Sequence, residues 1–215
     1  MAIPPILQSL RLPVIAAPLF IISTPQLVIA QCKAGIVGSM PALNARPVAQ
    51  LDDWLAEITE ALAAHDRQHP HAKAAPFAIN LIVHKSNDAL DQQLALCAKH
   101  RVPLIITSLG ARTEVNEAVH GWGGLVLHDV INNRFAHKAV EKGADGLVAV
   151  AAGAGGRWQA VASRAQARAV SRETRMAGQD SGALQWPGCD TQSQPGAITC
   201  PSSSGRRRPA GSPRR

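Results

Sequence analysis

Short apolar runs alternate with stretches of helical period through the first 150 or so residues, and this alternation restricts the fold more than any single motif. The runs are Val14–Ala17, Ile36–Gly38, Phe77–Ile82, Leu104–Thr107, Gly124–Leu127 and Gly146–Val150. Each is hydrophobic at successive positions rather than at every second one. A strand with one wet face alternates, whereas a strand covered on both faces does not, so these runs read as strands of a parallel sheet. Between them lie amphipathic segments. Ala49–Ala64 places Leu51, Leu55, Ile58 and Leu62 on one helical face, and Asp88–Lys99 repeats the pattern with Asn87 or Asp88 as its cap. Shorter helices are predicted at Thr113–His120, capped by Thr113, and at Arg134–Lys142, ending in Gly143.

Repeated β-α units demand crossover helices, which leaves a doubly wound sheet or part of an eight-stranded β/α barrel. A dinucleotide-binding domain would carry a G-x-G-x-x-G turn after its first strand, and here that position reads AAPLF. Instead, polar or glycine positions follow almost every strand: Ser39, Asn80, Ser108, His128-Asp129 and Gly153–Gly156. A barrel distributes its chemistry around one rim in this way. The predicted class is α/β, an incomplete TIM (β/α)8 barrel of about six parallel strands over residues 1–156.

Composition adds a boundary. Residues 1–156 hold 12 Lys+Arg against 12 Asp+Glu, whereas 157–215 hold 10 Arg, no Lys and 3 acids, so the formal charge of +7 belongs entirely to the last 59 residues. That segment carries 19 Gly, Pro and Ser and five large aliphatics, a composition expected to stay disordered. Arg206–Arg208 and Arg214–Arg215 would attract phosphate, but no aromatic residue is interleaved with them, so specific nucleic-acid recognition is not expected. The apolar stretch 14–30 is interrupted by Pro18 and Pro25, and neither a membrane span nor an export signal is read from it; a cytoplasmic location is the expectation. Cys32, Cys97, Cys189 and Cys200 lack metal-ligand or disulfide spacing, and His65, His69 and His71 sit in a polar, proline-broken connection, so no metal site is expected.

Three features carry chemistry. Asn80 interrupts the strand FAINLI, where a buried amide needs partners. His128 ends GGLVLHDV, placing an imidazole where it could donate, accept or take up a proton near neutral pH. The turn Ala151–Gly156 follows a strand, and its glycines allow close backbone approach to a phosphate or a ring edge.

Taken in order, LPVIAAPLFIISTPQLVIAQCKAGIVGSMPALNARP, PFAINLIVHKSN, LIITSLG and VLHDVINNRFAHKAVEKGADGLVAVAAGAGG resemble the nitronate monooxygenase family, formerly the 2-nitropropane dioxygenases. The resemblance covers residues 1–156. It implies a TIM barrel that binds FMN at the carboxyl ends of its strands and oxidises alkyl nitronates with dioxygen to a carbonyl compound and nitrite. By position it implies that Ala17, Pro18 and Leu19 line the flavin face, that Asn80 hydrogen-bonds the flavin, that His128 lies near it, and that Gly155 and Gly156 approach it by backbone. Relatives include an FMN-dependent enoyl-acyl-carrier-protein reductase, which is the alternative enzymatic reading. A non-catalytic remnant or partner-binding chain is the third.

Departures from the family pattern are specific. The glycine-rich turn is typically followed by a histidine, the expected base, and Arg157 stands there instead, so no catalytic residue is assigned. Asp129 follows His128 where some relatives place a lysine. Likeness that stops at Gly156 and gives way to Arg, Ala, Ser, Gly and Pro is what a shifted reading frame of a GC-rich gene would produce. A barrel opened in this way is expected to hold FMN weakly and to self-associate through its unpaired strand edges.

Overall fold

The computed structural model describes residues 4–150. The glycine-rich turn, including Gly155 and Gly156, Arg157 and the arginine-rich segment lie outside the described residues. After a short helix α1 (Pro5–Gln8), the chain runs through α2 (Pro25–Lys33), β1 (Gly38–Pro41), a single 3-10 turn (Ala42–Asn44), α3 (Gln50–Gln68) and β2 (Phe77–Ile82). It continues through α4 (Leu90–Lys99), β3 (Leu104–Ser108), α5 (Thr113–Gly121), β4 (Leu125–Val130), α6 (Asn133–Glu141) and β5 (Gly146–Ala149).

All strand pairs are parallel, and the order in space, β1-β2-β3-β4-β5, equals the order in sequence. A doubly wound sheet reverses direction at its switch point, so this monotonic order selects the barrel. Among the described residues five strands form, where the sequence offers six runs. The run at Val14–Ala17 is reduced to one parallel bridge, Ile15 to Val37, with Ala16 N–H donating to the Val37 carbonyl and Val37 N–H to that of Val14. Pro13 and Pro18 bracket this run and have no N–H to extend the ladder.

Side-chain alternation divides the sheet into two faces. Met40, Phe77, Ile79, Leu81, Ile105 and Val126 join Leu51, Leu55, Ile58 and Leu62 of α3 in the larger core, between sheet and helices. The stripe predicted for α3 is therefore the buried one. On the opposite face Val37, Ala78, Leu104 and Ile106 form a second cluster, against which Leu7, Leu10, Ile15, Leu125 and Leu127 pack. This is the inner face of the barrel. Leu7 and Leu10, from α1 and the turn after it, cover part of that face.

Helix α2 was not legible from periodicity. Thr24 caps it, accepting from Leu27 N–H at 3.3 Å, and Pro25 opens it, where a missing N–H costs nothing. It lies so close to β1 that a Cβ on Gly38 would meet the Val28 carbonyl oxygen at 2.5 Å and Cys32 Sγ at 2.9 Å. Other expected caps differ in detail. Thr113 is the first residue of α5 rather than its cap. Asn87 ties β2 to α4, donating to the Ile82 carbonyl at 2.8 Å and Gln93 Oε1 at 3.0 Å. Gly143 follows α6 with φ +86°, as a glycine past a helix end should. No helix among the described residues is long and apolar enough to cross a membrane.

Candidate functional site

The carboxyl ends of the strands hold the polar side chains of the inner face. Ser39, Asn80 and Ser108 point inward from β1, β2 and β3 and are buried. The Ser39 hydroxyl donates to the Ala16 carbonyl, pinning the opening segment against β1. Asn80 Nδ2 donates to the Ile106 carbonyl at 3.0 Å and to Ser108 Oγ at 2.7 Å. A backbone carbonyl only accepts, so the Ile106 contact fixes which end of the amide is nitrogen. Asn80 Oδ1 is thereby directed away from both partners. The arrangement offers a ligand an acceptor, Asn80 Oδ1, beside a hydroxyl whose oxygen is already accepting and whose hydrogen is free to be donated.

His128 occupies the other side of the sheet. Its neighbours two residues away, Val126 and Val130, pack under the helices, and Thr107 stands beside it in register on β3. The two share a buried hydrogen bond of 2.5 Å between Thr107 Oγ1 and His128 Nδ1. Burial pushes the imidazole below its ordinary pKa, opposed by the charge of Asp129. A neutral ring follows, backing the site from the helix layer rather than lining its mouth. Because side chains alternate, Asp129 takes the inward position, with half-buried Leu125 and Leu127 below it on the same strand.

The opening segment forms the apolar lip. Ala17 and Leu19 are exposed and Pro18 half-buried. Beyond them Phe20, Ile21 and Ile22 are 52%, 74% and 65% exposed. The loop is nonetheless held firmly. Asn44 donates to the carbonyls of Leu19 at 3.1 Å and Ser23 at 2.9 Å and accepts from Ile21 N–H at 2.9 Å. Ile21 adopts φ +67°, a left-handed conformation unusual for a β-branched residue. Arg46 lies over the Phe20 ring at 5.2 Å. Leu109, 66% exposed after β3, and Ile131, 54% exposed after β4, extend the apolar rim.

Among the sequence candidates, then, Asn80 lies on the inner wall, Ala17–Leu19 lie on the rim, and His128 is turned to the helices. Ser108 carries no motif in the sequence; only the fold brings it to Asn80. Among the described residues no group of three or more His, Cys, Asp or Glu could hold a metal. His65 and His69 stack at 4.3 Å, with His65 Nε2 against the Ala72 carbonyl and His69 Nδ1 against that of His65. A groove of about 310 Å³ lined by Leu94 and Trp122 lies on α4 and α5, away from the strand ends.

No family model and no curated protein sequence matches the chain. Solved structures do match. FabK from Thermotoga maritima aligns with a TM-score of 0.64 at 22% identity, over 78% of this chain and 49% of that one. A nitroalkane oxidase from Streptomyces ansochromogenes aligns with a TM-score of 0.58 at 21% identity, over 79% and 57%. A mandelate oxidase variant carrying a monooxide FMN adduct gives 0.52 at 17% identity, over 77% and 55%. The fold is shared with all three. The chain spans about half the length of these structures.

Proposed function

We propose that the chain is an FMN-dependent oxidoreductase of the nitronate monooxygenase group, which oxidises alkyl nitronates with dioxygen to a carbonyl compound and nitrite. The observation that carries this reading is the Asn80–Ser108 pair on the inner wall of a parallel β/α sheet, below an apolar lip built by the first β-α connection. The residues fit the ring end of the cofactor. A flavin edge presents both N–H and acceptor atoms, and Asn80 Oδ1 with the Ser108 hydroxyl hydrogen supplies one partner of each kind. Ala17, Pro18 and Leu19 offer apolar contact at the rim. Backbone contacts from Gly155 and Gly156 belong to the same proposal. When bound, the flavin supplies the electron transfer, while the protein binds, orients and excludes water.

The likeness to a nitroalkane oxidase and to an FMN-carrying mandelate oxidase supports a flavin and an oxidation. The deciding experiment is titration of the purified full chain with FMN, followed by nitrite release from ethylnitronate under air without NAD(P)H. Saturable quenching of flavin fluorescence with nitrite formed is the expected result. NAD(P)H consumption without nitrite would favour the reductase reading, and absence of flavin binding would defeat both.

A further inference from the structure

Resting on that reading, we infer that Asp129 is a base that takes the α-proton of a neutral nitroalkane, so that the chain generates its own nitronate. The position of the carboxylate follows from the sheet. Leu125 and Leu127 pack on the inner cluster, whereas Val126 and Val130 pack under the helices, so Asp129 faces inward at the top of β4. The register pairs Thr107 with His128 and Asp129 with Val148. One residue beyond the first pair, Ser108 of β3 lies beside Asp129 on the same face, about 5 Å away across parallel strands. Asp129 is half-buried, accessible from the mouth and not sealed in the core.

Other groups at this end do not serve. Ser39 is committed to the Ala16 carbonyl, and Asn80 is not basic. His128 is on the helix side with Thr107. His84 stands in the exposed loop after β2 with Nδ1 against Ser86 Oγ. Asp129 is thus the one carboxylate on the described inner wall at this end of the strands.

The step balances without a further reactant. The Asp129 carboxylate accepts the α-hydrogen as a proton. The C–H electron pair becomes the C=N bond, and one N–O π pair moves onto oxygen, giving a nitronate and a protonated Asp129, which returns its proton to water. Negative charge grows on the nitro oxygens as the proton passes to the carboxylate. The step extends the substrate range from the nitronate to its neutral carbon acid.

Proton removal can be followed apart from oxidation. The full chain, freed of flavin, would be incubated with nitroethane in D2O and the loss of the α-proton signal followed by NMR. General-base catalysis contributes about a hundredfold or more. The wild-type chain should exceed Asp129→Asn by that order, with Asp129→Glu, which keeps the carboxylate, recovering part. Loaded with FMN, Asp129→Asn should lose nitrite release from nitroethane and keep it from preformed ethylnitronate. Exchange unaffected by Asp129→Asn, or equal loss with both substrates, overturns the inference. Asp129-dependent exchange in a chain that binds no FMN upholds it and removes the oxidoreductase reading. Nitronate oxidation with exchange indifferent to residue 129 does the reverse.

Discussion

Replacing Asn80 by aspartate tests the orientation of the amide on which the site depends. Asn80 donates two buried hydrogen bonds, at 3.0 Å to the Ile106 carbonyl and 2.7 Å to Ser108 Oγ. At roughly 0.5–1.5 kcal/mol net for each, Asn80→Ala should cost about 1–3 kcal/mol. Asn80→Asp keeps the shape and exchanges the donor for an ionised acceptor. Ser108 can turn its hydroxyl to donate, but the Ile106 carbonyl cannot, so an anion is forced against a carbonyl oxygen at a 7%-exposed position. At pH 7 the aspartate variant should therefore be less stable than the alanine variant by about 1 kcal/mol or more, an unpaired buried charge costing more than an unpaired neutral group. Its carboxyl pKa is raised on folding above the unfolded value of about 3.9. The folded state then binds a proton that the unfolded chain releases, so the deficit is largest at neutral pH and shrinks as the pH falls toward about 4. Urea unfolding of both variants between these pH values reads the difference, with the other titrating groups cancelling. If Asn80→Asp matches wild type at pH 7, or its difference from Asn80→Ala does not change with pH, the amide nitrogen is not directed at Ile106.

Gly38→Ala should destabilise the fold by about 1–3 kcal/mol in the same assay, because the Val28 carbonyl is backbone and cannot withdraw; adding Cys32→Ala relieves only the sulfur contact, so full recovery in the double variant would show that the carbonyl clash is absent. Thr24→Ala removes the cap of α2 and should cost about 1 kcal/mol, and an unchanged unfolding midpoint would mean the cap is replaced by water. His128 is held neutral by burial, its folded pKa lying below the unfolded value of about 6.5. As the pH drops through that window the unfolded chain gains a proton that the folded chain refuses, so stability is lost. His128→Asn should flatten the fall of stability below pH 6.5, and an identical slope in both chains would contradict the burial argument.

Periodicity sufficed for the β/α alternation because it records two physical facts, strands covered on both faces and helices covered on one. The runs at Phe77, Leu104 and Gly146 and the α3 stripe read directly for that reason. Sequence also carried Asn80, since an amide inside an apolar run has to find partners. It did not carry α2, whose signal is a Thr-Pro cap hidden in an apolar stretch, or the loss of the first strand to its flanking prolines. Nor could it choose between barrel and doubly wound sheet from spacing, a choice made by the monotonic strand order.

Which face a residue occupies was decided only by tertiary structure. His128 and Asp129 are adjacent in sequence, and a one-residue step along a strand sends them to opposite sides. Packing of Val126 and Val130 under the helices settles the direction, placing the imidazole in the core with Thr107 and the carboxylate in the mouth. Ser108 likewise acquires its place from pairing, because parallel strands in register bring side chains 28 residues apart to 2.7 Å. Local sequence sets what each segment can form, while register and burial set what each side chain can touch.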